Sequence, residues 1–350
     1  MRVAFDEQIF LMQRYGGISQ SFFQLIEALN RDTPVTALPP PGAVKTPASP
    51  WGGDLLGSRL GARLALEFAR RRPRRLPDHD LVHRTFYDPA WLAVESDSPV
   101  AITVHDMIPE LMPDQVPPRV HLAKQEYVQR ADLILTNSQT TKQDLLTHYG
   151  TPRAPIVVTP FGVSERFLRA TPARTGTTPP HVLYVGGRGG YKRFLDLLHA
   201  VPLLPPSVRV LAVGGGPWHA SELAVQRSLG IEDRVRRIDL ADDELPGAYQ
   251  SALALVVTSS YEGFGLPVLE AMASGTPVVT TRGGALPEVG GEAAVYVDSD
   301  PADIAAAVTD LWADPALRQE LADAGRLRAR EQSWSRTALA TAEAYRSVLA

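Results

Sequence analysis

Glu262 and Glu270 frame the stretch Tyr261-Glu262-Gly263-Phe264-Gly265-Leu266-Pro267-Val268-Leu269-Glu270, which runs on into Ala271-Met272-Ala273-Ser274-Gly275-Thr276-Pro277. Ionised carboxylates accept strong hydrogen bonds from hydroxyls, so the pair suits a ligand with hydroxyls at two separated points. Pro267 falls where a helix would have its first turn, a position at which a missing N–H is harmless. The start of such a helix offers bare amide N–H groups and the positive end of the peptide dipoles, a seat for phosphate. Gly263 and Gly265 carry no side chain, so a ligand can come close to the backbone beside Phe264 and Leu266. Glu262 then lies in the loop and Glu270 about one turn into the helix.

A second stretch, Tyr184-Val185-Gly186-Gly187-Arg188-Gly189-Gly190-Tyr191-Lys192-Arg193-Phe194, leaves an apolar run and opens into a glycine-rich loop. Arg188 and Lys192 are expected to project there beside the bare backbone at Gly187, two fixed cations able to neutralise a diphosphate as its charge grows. Gly214 and Gly215, in Val213-Gly214-Gly215-Gly216-Pro217, either let a nucleotide lie close or simply make a tight turn. In Ala101-Ile102-Thr103-Val104-His105-Asp106 a histidine follows a buried run, and Asp106 either orients that loop or caps a turn. Arg14-Tyr15-Gly16-Gly17-Ile18-Ser19 places a glycine pair at the first strand-to-helix turn, without the G-x-G-x-x-G pattern of a dinucleotide enzyme. Asp298-Ser299-Asp300 looks like a metal motif, but its place before a helix favours N-capping.

Taken together these runs resemble retaining glycosyltransferase family 4, the group 1 glycosyltransferases, with Glu262 and Glu270 matching its E-x7-E signature. The resemblance covers nearly the whole chain and is strongest over 182–297. The Tyr-Gly-Gly-Ile-Ser, His-Asp-Met-Ile-Pro and Gly-Gly-Tyr-Lys runs look most like bacterial members that build surface polysaccharides or decorate metabolites. It implies transfer of a hexose, with retention, from a nucleoside-diphosphate sugar (GDP-mannose or a UDP-sugar) to a hydroxyl of a glycan, lipid-linked or small-molecule acceptor. It implies that Glu262 and His105 hold the sugar, Glu270 the ribose, and Arg188 and Lys192 the diphosphate, although these two cations stand closer together than is usual in the family. Gly16, Gly17, Gly187, Gly214, Gly215, Gly263, Phe264, Gly265 and Leu266 would then border the donor, with Tyr15 and Asp106 on the acceptor side. Neither a metal nor a bound cofactor is expected. A nucleotide-sugar epimerase or phosphorylase of the same architecture, or a catalytically silent sugar-nucleotide-binding subunit, are the competing interpretations.

The elements that must position these residues follow from alternating apolar runs and amphipathic segments, the α/β pattern of parallel sheets covered on both faces. Strands are expected at 3–5, 81–83, 100–104 and 133–136, then at 182–185, 208–213, 235–238, 253–258, 277–280 and 294–297, with Ser19 capping a helix over 20–29. Thr171 to Pro180 has linker composition, so the chain divides into domains at 1–171 and 180–333. The resemblance makes these two Rossmann-like domains of the GT-B fold, their parallel sheets facing across a cleft. It makes the first the acceptor domain and the second the donor domain, with a last helix at about 334–350 packing back on the first.

The 350 residues are 44% hydrophobic with a formal net charge of −4, enough for two cores and without a field that attracts nucleic acid. With no cysteine, disulfides, thiolate nucleophiles and Cys-ligated metals are excluded. The acidic turn after Phe5 is unlike a signal peptide, and no apolar run has the length of a membrane span, which points to the cytoplasm. Leu56, Leu60, Leu64 and Phe68 recur every four residues ahead of a basic run at Arg70–Arg75. This is either a core helix with a solvated end or an interfacial helix touching an anionic membrane peripherally.

Overall fold

The computed structural model describes residues 1–12, 16–39, 76–94, 96–116, 123–169 and 179–349. Tyr15, the segment from Leu56 to Arg75 and most of the linker at 171–180 lie outside them. The chain forms two compact units, Met1–Gly162 with Trp334–Ala350, and Val163–Ser333. The helix Glu165–Leu168, on the N-terminal side of the linker, therefore belongs to the second unit, where it packs on the helix Leu266–Ser274. Among the described residues no helix is long and apolar enough to cross a membrane.

The first unit is built on a parallel six-stranded sheet of order β2-β1-β3-β4-β5-β6. Its strands are β1 (Arg2–Phe5), β2 (Thr36–Leu38), β3 (Leu81–Arg84), β4 (Val100–Val104), β5 (Leu133–Thr136) and β6 (Ile156–Val158). Apolar runs such as Leu133-Ile134-Leu135 do not alternate because both faces are covered: all three residues are at most 1% exposed. The two edge strands β2 and β6 escape a pattern search for a physical reason. β2 has three residues with only Ala37 buried, and β6 is half-buried throughout, so neither makes a continuous apolar signal.

The helix Gly17–Asp32, second after the short helix Gln8–Met12, opens at Gly16 rather than at Ser19. Ser19 lies inside it, its hydroxyl donating back to the Gly16 carbonyl at 3.1 Å. Phe22, Phe23, Leu25, Ile26 and Leu29 form its buried stripe. The C-terminal helix Trp334–Ser347 packs on that helix, burying Trp334, Ala338, Ala342 and Tyr345. Tyr345 also reaches the sheet, its hydroxyl 2.6 Å from His83 Nδ1, while His83 Nε2 lies 2.8 Å from Thr103 Oγ1. Burial depresses the His83 pKa to about 3, so the imidazole is neutral and serves as a polar tie inside the core.

The second unit repeats the plan with β7 (His181–Val185), β8 (Arg209–Val213), β9 (Val235–Ile238), β10 (Ala254–Val257), β11 (Val278–Thr280) and β12 (Val295–Tyr296). The order is β12-β11-β10-β7-β8-β9, all parallel. The chain runs outward from β7 to β9 and returns on the other side at β10, so it proceeds from β7 toward one edge of the sheet and from β10 toward the other. A parallel sheet binds its ligand at such a switch point, beyond the carboxyl ends of the strands.

Replacing Tyr345 by Phe removes the partner of a fully buried imidazole nitrogen. Tyr345→Phe is expected to destabilise the first unit by about 1–3 kcal/mol. Urea unfolding should show this as a lower midpoint at unchanged slope, and an unshifted midpoint would refute the tie.

Candidate active site

The loops from β7 and β10 meet at the switch point of the second unit. They are stitched by backbone and side chain: Ser260 N–H donates to the Tyr191 carbonyl at 2.8 Å and Thr258 Oγ1 to the Lys192 carbonyl at 2.8 Å. Arg193 takes a left-handed φ of 49°, a conformation unfavourable for a side-chain-bearing residue, and its guanidinium is tied to Asp196 and to the Ser299 carbonyl. Lys192, immediately before this bend, donates from Nζ to Glu262 Oε1 at 2.6 Å, and Ser259 Oγ donates to the same oxygen at 2.6 Å. Both of these donors meet Oε1. Burial alone would weaken the charged form of Lys192, but the Glu262 carboxylate and Tyr191 together outweigh it and raise the pKa, so the cation is firmly charged.

Directly after Glu262 the chain turns into the helix Leu266–Ser274 through Gly265, whose φ is +104° and which provides no side-chain cap. A Cβ on Gly265 would stand 2.9 Å from Leu286 Cδ2. Gly263 and Phe264 are buried beneath this turn, and Leu266 is half-buried at the head of the helix. Lys192, Glu262, Gly263, Phe264, Gly265 and Leu266 are thus brought to one place, with an uncapped helix N-terminus at its centre. Gly187 is exposed on the neighbouring loop, its carbonyl held by Tyr184 Oη at 2.6 Å.

Glu270, one turn further along, is held differently from Glu262. Its Oε2 accepts from Tyr249 Oη at 2.9 Å, and Tyr249 is fully buried. Burial raises the Glu270 pKa to about 7, only partly opposed by the Tyr249 hydrogen bond and the charge of Arg166, while Asp242 adds to the rise.

Arg188 corrects the sequence expectation. Its side chain is turned inward with no exposed surface, Nε 2.9 Å from Glu222 Oε1. Nη1 donates to the Gly214 carbonyl at 2.5 Å, and Nη2 to those of Gly216 at 3.0 Å and Pro217 at 2.8 Å. A guanidinium donates from a planar fork, and here carbonyls and a carboxylate of its own unit occupy that fork. Gly214 and Gly215 follow directly after β8, Gly215 exposed.

In the first unit His105 follows β4 and is buried. Its ring lies edge-on to Phe22 at 5.5 Å and 6.0 Å from Phe161, and its backbone N–H donates to Tyr87 Oη at 3.2 Å. Phe22 belongs to the helix that begins at Gly17, so the glycine turn and His105 share one packed neighbourhood. Asp106 caps the next turn, accepting from Ile108 N–H at 3.1 Å, and Ser138 caps the helix Gln139–Tyr149 by accepting from Thr141 N–H. Asp300 caps the helix Pro301–Ala313 through Ala302 N–H.

Six supporting residues were not visible in the sequence. Lys124, fully buried, donates to the Asp106 carbonyl at 2.9 Å and to Glu110 Oε2 at 2.7 Å, fixing the turn after His105. Ser259 and Tyr249 hold the two glutamates, and Glu222 holds Arg188. Gly283 and Gly284 back the Glu262 loop: a Cβ on Gly283 would meet the Ser260 carbonyl at 2.5 Å, and one on Gly284, at φ +61°, would collide with the Glu262 carbonyl. A Gly-Gly pair just past a strand end was the one available hint.

A sequence model described as Glycosyltransferase Family 4 matches residues 15–167, and one described as Glycosyl transferases group 1 matches residues 179–314. The chain is 28% identical over 326 residues to the O-antigen chain mannosyltransferase B of Escherichia coli, covering 84% of this chain and 85% of that one. It is 31% identical over 343 residues to a D-inositol 3-phosphate glycosyltransferase of Corynebacterium efficiens, covering 85% and 78%. Sucrose-phosphate synthase from Thermosynechococcus elongatus superposes with a TM-score of 0.75 at 20% identity, over 99% of this chain and 98% of that one. Anabaena HepE, solved in complex with UDP-glucose, gives 0.74 at 18% identity over 99% and 100%.

The raised pKa of Glu270 has a stability signature. Between its ordinary value of 4.5 and about 7 the folded chain binds the proton more tightly than the unfolded one, so this residue lowers stability as pH rises through that window. Glu270→Gln keeps an oxygen for Tyr249 and removes the titration. The variant is expected to melt above the wild type at pH 8, with the difference closing below pH 4.5. Melting curves from pH 4 to 8 (about half-unit steps) check this, and a pH-independent difference would refute it.

Proposed function

Because this chain belongs to glycosyltransferase family 4, nucleotide-sugar-dependent enzymes of the GT-B fold, we propose that it transfers a hexose with retention of anomeric configuration. The donor in this proposal is GDP-mannose or a UDP-sugar, and the acceptor a hydroxyl of a glycan, a lipid-linked sugar or a small molecule. The observation that carries it is the Lys192–Glu262 pair at the head of the helix Leu266–Ser274, placed at the switch point of the second sheet. A cation, a hydroxyl-binding carboxylate and uncapped amides side by side are what a sugar diphosphate requires. The O-antigen chain mannosyltransferase among the relatives supports a hexose donor.

In this scheme the second unit holds the donor. Lys192 Nζ and the amides at Gly265 and Leu266 take up negative charge as the anomeric carbon parts from the diphosphate oxygen. Glu262 Oε2 accepts from a sugar hydroxyl, and Glu270 Oε1 from a ribose hydroxyl. The acceptor oxygen bonds the anomeric carbon on the face the diphosphate leaves, and the acceptor proton passes to the departing diphosphate oxygen. No protein nucleophile is needed, and the positive field comes from the chain itself, so the scheme includes no metal. His105, the Gly16–Gly17 turn and Asp106 are the sugar- and acceptor-binding residues proposed for the first unit.

A thermal-shift screen of UDP-, GDP- and dTDP-sugars identifies the donor, since a ligand at 100 times its Kd adds about 2.7 kcal/mol of stability. With that donor, Lys192→Ala and Glu262→Ala are each expected to lower turnover by about 10²- to 10³-fold while the far-UV circular dichroism stays that of the wild type. Full activity in either variant would overturn the assignment. An epimerised donor without a transfer product would overturn the reaction class, and inverted anomeric coupling in the product would overturn retention.

A further inference from the structure

The geometry points to Arg188 and Glu222 as one positioning pair that holds the Gly214–Trp218 loop with its amides toward the donor diphosphate, Arg188 itself not touching that diphosphate. The assignment rests on the donor site proposed above and deepens it.

Gly214, Gly215 and Gly216 have φ of +81°, +72° and +71°, three successive left-handed residues that side chains would not tolerate. Such a loop needs something to hold it. Carbonyls of three of its residues, Gly214, Gly216 and Pro217, converge on the one Arg188 guanidinium. A trans peptide sets its N–H opposite its C=O. The peptides whose carbonyls face Arg188 and that carry a hydrogen therefore aim the amides of Gly215 and Trp218 the other way, toward the open side of the loop. Successive amides in a left-handed turn make a concavity for anions. Gly215 is obligatory here, since a Cβ would run into Arg188 Nη1.

Arg188 is committed to this task by what surrounds it. Glu222, 2% exposed, neutralises it from Oε1, and Oε2 of the same carboxylate accepts from His219 N–H at 2.7 Å to close the helix Ala220–Leu229. The guanidinium lies 4.7 Å from the centre of the Trp218 ring, and that ring stacks on Phe194 with centroids 6.0 Å apart. Swinging Arg188 out to a phosphate would strip every one of these contacts and strand a buried carboxylate. A cation already neutralised at 2.9 Å also adds little field at a diphosphate, which leaves Lys192 as the charge that acts directly.

Calorimetric titration of the full chain with GDP and with UDP tests this. Arg188→Ala and Glu222→Ala are each expected to weaken the bound diphosphate by about tenfold or more, and the double variant to stay within about twofold of the weaker single one, as residues acting as a unit do. Affinity for the matching nucleoside should not change, a split that a general loss of structure would not produce. Wild-type diphosphate affinity in Glu222→Ala beside a loss in Arg188→Ala, or losses that multiply in the double variant, would overturn the pairing. Should the alanine variants fail to fold, Glu222→Gln and Arg188→Lys take their place. Lysine keeps the charge but not the fork, so Arg188→Lys binding as tightly as wild type would also overturn it. A wild-type protein that binds none of GDP, UDP and dTDP sinks the proposed function, and this assignment with it.

Discussion

Lys192 Nζ stands 2.6 Å from Glu262 Oε1, and that contact joins the loops of two strands, β7 and β10, far apart in sequence but adjacent in the sheet. The pair is half-buried, so it is screened less than a surface salt bridge and still open to a ligand. Everything near it serves its placement. The strained Arg193 bend, the Thr258 and Ser260 hydrogen bonds and the Gly283–Gly284 backing all fix the two backbones, so the charges meet without long flexible side chains having to search for one another. Preorganisation of this kind lets a cation act on a developing negative charge without first reorganising.

The same device recurs away from the site. Parallel strands end in loops whose polar groups are covered by packing, and buried charges there are held by opposite charges and hydrogen bonds. Asp6, fully buried, lies 3.6 Å from Arg84 and accepts from Gln8 Nε2 at 2.6 Å and from Thr85 N–H at 2.9 Å. Lys124 and Glu110 do the same for the turn after His105, where Tyr149 Oη donates to Glu110 Oε1 at 2.5 Å. Burial pushes the Glu110 pKa up, but Lys124 and this hydroxyl together hold it below its ordinary value. Glu270 is the exception, since Tyr249 is neutral and Arg166 too weakly coupled to offset burial.

Arg188 and Lys192 show how two cations within a single loop can take different roles. Both are cations beside glycines, four positions apart. Lys192 meets a half-buried carboxylate at the rim, whereas Arg188 finds a fully buried carboxylate and a cluster of carbonyls beneath the loop. The guanidinium fork suits the second task and a compact ammonium the first.

Much of this was legible in the residues alone. Uninterrupted apolar runs, glycines at strand ends and Pro267 in a first helical turn are local signals, because backbone sterics and burial act over a few neighbouring residues. They specified the α/β alternation, the loops that carry Glu262, Lys192 and His105, and the helix that follows Gly265. Tertiary structure alone decided which way each side chain points. Arg188 meets Glu222 across 34 positions, Glu270 meets Tyr249 across 21 and Lys192 meets Glu262 across 70. A buried charge goes wherever a counter-charge compensates its desolvation, and only the folded arrangement of distant strands establishes where that is.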